Sequence, residues 1–285
     1  MSLEVRKIAG YSCGNIDETK QDPAEILSRD PVLLEVFSYL SFATLGPIRL
    51  VSKQWKLLAD NTIQQKIYRE IAFGLDKWAQ CCGAHVVKDE EKGKDWSSLP
   101  VKEYMEYCRK LKSVFPGKTA IDRLMLVWLP KTLNGQLTLK SLGELAKKYF
   151  SKSDMGYRYI FPGIVEELGD RTIDQSRWVV MTKDVLPGSR GKSYAEQQAI
   201  VAGVAANNLI SFEVPGVLES VACILSQFFL DSKTRLFGDN PWTYTRCPEQ
   251  ARGYQIVVGG FAPAGLLVDY IYDYDCLGVA ALRKF

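Results

Sequence analysis

The chain contains one histidine, His85, so any Cys–His or Ser–His mechanism has to use it. It follows Cys81 and Cys82 beside a polar stretch. That proximity fits a solvated or capping histidine more readily than a catalytic dyad. Pro187-Gly188-Ser189-Arg190-Gly191-Lys192-Ser193 ends like a phosphate-binding loop, but Leu186 stands where that loop needs its first glycine. Asp269 and Asp273 alternate with Tyr270, Tyr272 and Tyr274. On a strand the two carboxylates share one face at roughly 13 Å, too far apart to tune each other. They read as a solvated face opposite an aromatic one. One histidine rules out a His-rich metal site, and no acidic cluster has calcium-loop spacing. These residues imply no catalytic group, no metal and no cofactor.

Asp239-Asn240-Pro241-Trp242-Thr243-Tyr244-Thr245-Arg246 is the most unusual loop. Trp, Tyr and Arg commonly anchor interfaces, which makes Asn240, Trp242, Tyr244 and Arg246 a possible recognition loop. Folding of its aromatics onto the domain is the other reading. The Gly259–Gly265 turn lies near enough in sequence to border the same site.

The 285 residues, 47% hydrophobic and 24% charged, suit one large or two modest globular domains. Net charge is +3 without a basic run, weak for a nucleic-acid binder. Seven cysteines, an odd number without C-x-x-C, argue for free thiols in a cytosol-like compartment. No apolar run is long enough for a membrane span, and Met1 to Gly10 lacks the apolar core of a Sec signal.

Residues 1–25 read as a mobile leader and 26–72 as a compact helical module. In the module Asp30 can cap a helix opened by Pro31, with Leu33, Val36, Phe37 and Leu40 on one face. Gly46–Pro47 is expected to interrupt any second helix, and Pro47 to open a third. There Ile48, Val51, Trp55 and Leu58 form a stripe. Thr62 with Gln65 has capping-box spacing ahead of Ile67 and Ile71.

A helical connector, 73–116, follows, with a charged loop from Lys88 to Asp95 and a helix opened by Ser98 and Pro100. Residues 117–285 are expected to form an α+β domain. Strands are predicted at Leu124–Leu129, Arg177–Val185 and Leu209–Val214, with a turn at Asn134–Gly135. Capping boxes are predicted at Ser141/Glu144 and Ser193/Glu196. A helix buries Leu218, Val221, Leu225 and Phe228. A closing antiparallel meander runs over Tyr254–Gly260, Leu266–Tyr274 and Val279–Arg283.

The stretch with Phe37–Leu40, then Leu45, then Val51–Trp55 with Lys53 between, resembles an F-box. In that family an apolar helix ends in Phe-x-x-Leu, and a Leu and a Val-x-x-x-Trp helix follow. Two features depart from the pattern: Ser28–Arg29 stands where the family has Leu-Pro, and Gly46–Pro47 where it continues a helix. The resemblance implies docking onto a Skp-type linker of a Skp–cullin–F-box ubiquitin ligase in the cytoplasm. Pro31, Leu33, Leu34, Val36, Phe37, Leu40 and Leu45 would be the contacts, with Ile48, Val51 and Trp55 as module core. The C-terminal domain would then present a target protein. More faintly, Trp178–Arg190 and Asp239–Cys247 resemble the C-terminal regions of F-box-like putative effectors of obligate intracellular bacteria of amoebae, which would place the chain in a host cytosol. Two alternatives remain at this stage. One is an effector whose C-terminal domain is an enzyme of unknown chemistry. The other is a helix-turn-helix DNA-binding protein, which would want more exposed cations than Arg49, Lys53 and Lys56.

Overall fold

The computed structural model describes residues 40–48, 53–82, 94–150, 153, 155–270 and 275–285. It divides into two compact units, residues 1–66 and 67–285. The segment expected as a connector, 73–116, lies within the second.

In the first unit α1 (Phe42–Ile48) packs on α2 (Lys53–Lys66). The Ser41 hydroxyl accepts the Thr44 N–H at 3.2 Å and starts α1. The Gly46–Pro47 break predicted from sequence does not occur, because α1 runs through both residues. Pro47 stands inside α1, where its missing N–H forfeits one helical bond. Nor does Thr62 cap a new helix. It lies inside α2 and donates from Oγ1 to the Leu58 carbonyl at 2.9 Å.

The second unit opens with a π-helical turn, Ile67–Ile71, closed by Ala72 N donating to Ile67 O at 2.8 Å. Helices α3 (Leu75–Cys82), α4 (Lys94–Ser97), α5 (Val101–Lys110) and α6 (Ala120–Arg123) follow. Asp95 belongs to α4 rather than to a charged loop. It is buried because its Oδ2 accepts Tyr68 Oη at 2.5 Å and Leu75 N, at the start of α3, at 2.7 Å. Phe73 and Trp78 enter the main core.

β1 (Leu124–Leu129), β3 (Arg177–Thr182) and β8 (Leu282–Lys284) make an antiparallel sheet in the order β1-β3-β8. The other sheet has the order β2-β6-β5-β4-β7. In it β4 (Tyr244–Ala251), β5 (Tyr254–Ala262) and β6 (Gly265–Tyr270) form an antiparallel meander. β2 (Tyr159–Ile160) and β7 (Leu277–Gly278) flank it in parallel pairing. Two shorter helices, α7 (Leu139–Ala146) and α8 (Pro162–Leu168), and two longer ones, α9 (Tyr194–Asn208) and α10 (Val217–Leu230), complete the α+β unit. α10 touches β1 of one sheet and β4 and β5 of the other, and Val217 through Phe229 are all buried. A helix this rich in apolar side chains on all sides, with Glu219, Ser220, Ser226 and Gln227 as its polar residues, belongs in such a position.

Several sequence expectations shift. Helix α7 is capped by Thr138 and Ser141, which exchange side-chain and backbone bonds, so it starts earlier than a Ser141/Glu144 box would place it. β3 stops at Thr182, where Asp184 Oδ1 accepts Val185 N and turns the chain. Leu209–Val214 is not a strand; only Glu213 forms an isolated bridge, with Leu282. The predicted last meander strand, Val279–Arg283, does not join the meander: only Leu282 and Arg283 of it are strand, in β8 of the other sheet. Residues 279–281 cross over, and their N–H groups are taken by the hydroxyls of Ser189 at 3.1 Å, Thr245 at 2.9 Å and Thr182 at 3.1 Å. The β1 strand, the Asn134–Gly135 turn (positive φ at both) and the Ser193/Glu196 capping box stand as predicted.

Candidate functional site

In the first unit Leu45 is fully buried, and Leu58, Ala59, Thr62 and Ile63 form the buried side of α2. Leu40 and Ile48 are half-buried, and Lys56 and Leu57 are exposed. Leu45 was expected among the linker contacts, but its burial makes it a core side chain in this conformation. Pro31, Leu33, Leu34, Val36, Phe37 and Val51 lie outside the described residues. So does the side chain of Trp55, which stands on α2.

The second unit gathers a patch on the outer face of the five-stranded sheet. One register row crosses all five strands: Tyr159, Leu267, Gly259, Tyr244 and Leu277. In-register neighbours share a face. At the β7 end this face is covered. Arg190 donates to the carbonyls of Trp242 and Cys276, both at 3.2 Å, and to Thr243 Oγ1 at 2.8 Å. Arg246 donates to Lys192 O at 3.1 Å.

At the β2 end the face is open. Trp242, 40% exposed, lies parallel to the Tyr244 ring with centroids 6.1 Å apart, and the Arg158 guanidinium sits 4.9 Å from the Trp242 centroid. Exposed Tyr159 and half-buried Leu267 and Asp269 complete the patch. Burial pushes the Tyr244 phenol up to about 12 and raises the Asp269 carboxyl above its usual range, against the Tyr270 N–H that Asp269 accepts.

Glycine makes this arm possible. A Cβ on Gly259 (φ +155°) would stand 2.2 Å from Thr243 O, and one on Gly260 would strike the Tyr244 ring. Both glycines lie inside β5 rather than in a turn, and they do border the site as expected. Of the expected recognition loop, Asn240 and Trp242 face solvent, whereas Tyr244 and Arg246 are buried in β4. Sequence reasoning missed Arg158, Tyr159 and Leu267. They come from β6, β2 and the residue just before β2, and nothing local ties them to Trp242.

Part of the sequence weighed for bond chemistry is tied into the fold. In the loop with phosphate-binding character, Ser189 donates to Leu186 O and its carbonyl accepts Gln197 Nε2. Ser220 and Cys247 stand 3.6 Å apart but are fully buried, and burial raises that thiol far above its ordinary value. Burial likewise raises Cys81, Cys223 and Cys276, and pushes Cys108 up to about 11, which disfavours the reactive thiolate. His85, Asp273, Tyr272 and Tyr274 lie outside the described residues. Among the described residues no group of His, Cys, Asp and Glu is arranged to hold a metal ion, and no helix is long and apolar enough to cross a membrane.

Residues 30–70 match the model of a family described as F-box-like. The chain thus carries an F-box-like domain, the mark of a protein that works through protein–protein contact. More narrowly, that domain supports a general adaptor role. No curated protein and no solved structure matches the chain.

Proposed function

We propose that the chain is an adaptor of a Skp–cullin–F-box ubiquitin ligase acting in the cytosol. The F-box-like segment docks on the Skp-type linker, and the second unit holds a target protein by binding alone. The observation that carries this reading is the F-box-like match over residues 30–70. Such a segment displays apolar side chains for a partner to cover, at about 25 cal/mol per Å² of apolar area buried. On the second unit, the open sheet face with Trp242, Arg158 and Tyr159 supplies the residue types that dominate interface energetics.

The test is a pull-down of a purified Skp-type linker by the full chain and by the double variant Phe37→Asp, Leu40→Asp. The wild type is expected to retain the linker and the double variant to lose it, with thermal melting of the second unit unchanged. Equal recovery of linker by both would refute the docking step.

A further inference from the structure

The loop from Asp184 to Arg190 and the turn that ends at Lys118 enclose a cavity of about 360 Å³. That volume is in the range of small-ligand sites. It holds about a dozen heavy atoms, at the roughly 30 Å³ that a water molecule takes in the liquid. Its walls are mostly carbon. Phe115, Val185 and Leu186, all buried, line it together with Pro187. Phe115 and Leu186 also pack with Val201, Val279 and Ala281 in a small core, so these walls are fixed from behind.

Three charged side chains join the lining: Lys118, Asp184 and Arg190. Lys118 and Asp184 neutralise each other at 3.1 Å. Arg190 differs. Its Nη1 donates to the carbonyls of Trp242 and Cys276, both at 3.2 Å, and its Nη2 donates to Thr243 Oγ1 at 2.8 Å. All three acceptors are neutral, and among the described residues no carboxylate pairs with the guanidinium.

A guanidinium carries five N–H donors in one plane, so those three bonds leave Nε–H and one on Nη2. A carboxylate can accept such a pair with its two oxygens. The existing bonds also hold the guanidinium in one position, so a ligand meets it with little ordering cost. Two cations and one carboxylate on the lining leave a single positive charge without an offset. An incoming cation would add to it, and a neutral apolar ligand would leave it as it is. A single negative charge on an apolar body matches both the charge and the carbon walls.

We infer that this cavity binds a small monocarboxylate with an apolar body. The carboxylate pairs with Arg190, and the hydrocarbon part lies against Phe115, Val185 and Leu186. The site rests neither on linker docking by the first unit nor on target holding by the open sheet face.

Octanoate, with about ten heavy atoms, is the probe, and octanamide is its neutral counterpart of the same shape. Calorimetric titration of the full chain is expected to show saturable octanoate binding with a Kd of about 1 mM or tighter. Octanamide should bind at least about tenfold more weakly. Arg190→Gln should lose octanoate affinity by a similar factor. Asp184→Asn keeps an acceptor for the Val185 N–H but frees Lys118 from its ion pair, and it should bind octanoate several-fold more tightly. That gain is one a damaged fold would not produce. Absence of saturable octanoate binding up to about 10 mM overturns the inference. So does octanamide binding equal to octanoate, an Arg190→Gln variant with wild-type affinity, or an Asp184→Asn variant that binds no more tightly than wild type.

Discussion

Replacing Asp95 with Ala should destabilise the second unit by about 3 kcal/mol. The carboxylate is 2% exposed and accepts three bonds: Tyr68 Oη at 2.5 Å, Leu75 N at 2.7 Å and its neighbour Trp96 N at 2.8 Å. Bonds to a charged acceptor contribute about 1.5–3 kcal/mol each, and loss of a helix N-terminal acceptor alone costs about 1 kcal/mol. Relief of the carboxylate's own desolvation offsets part of that sum, leaving roughly 3 kcal/mol. The Leu75 N–H would be stranded and the Tyr68 hydroxyl would lose its 2.5 Å acceptor, in a space so tight that a Cβ on Gly74 would stand 2.7 Å from Asp95 Oδ2. For a unit of this size the loss is worth roughly 6–12 °C in melting midpoint, read by calorimetry. Asp95→Asn keeps one acceptor and should fall between variant and wild type. If Asp95→Ala melts within about 2 °C of wild type, the carboxylate does not hold these elements together, and the reasoning fails.

Two further outcomes follow from buried groups. Burial, with Glu219 close by, raises the Glu249 carboxyl above its ordinary 4.5, although it accepts the Val217 N–H at 3.1 Å. The folded chain therefore holds that proton more tightly than the unfolded chain. The associated stability is complete below pH 4.5 and is lost as pH rises through the folded value. Glu249→Gln should accordingly flatten the rise of stability toward acid pH in urea melts. An unchanged pH slope would contradict this. Gly259→Ala should cost at least about 2 kcal/mol and displace the Trp242 arm, because its Cβ would press on the Thr243 carbonyl. Denaturant midpoint and Trp emission report the two effects, and a wild-type emission spectrum would count against the packing described.

Local signals in the sequence located what local physics controls. The six apolar residues of β1, the Asn134–Gly135 turn and the Ser193/Glu196 box each depend on neighbours a few positions away. The errors arose where distant groups decide. Asp95 reads as solvated until Tyr68 and Leu75 are brought to it. Val279–Arg283 reads as one strand until three hydroxyls from elsewhere take its N–H groups. Leu209–Val214 has strand composition, yet the closure of α9 and the Tyr107 hydroxyl on the Ser211 backbone fix its shape. Candidate-site residues were legible only in part for the same reason. Trp242 stood out by type, whereas Arg158, just before β2, joins it only through the successive pairings of β2, β6, β5 and β4. The F-box resemblance, read over residues 31–68 and matched over 30–70, was legible because its marks are contiguous.

The crossing of residues 279–281 from one sheet to the other has a consequence for how the molecule is made. The sheet that starts at Leu124 acquires its third strand only when residues 282–284 arrive. During synthesis β3 must wait with one edge unpaired, and exposed edges invite aberrant pairing. The segment that resembles an F-box emerges much earlier. Ribosome-bound chains thus carry the complete F-box-like segment before residues 282–284 have closed this sheet, which leaves an interval in which a half-made molecule already displays it.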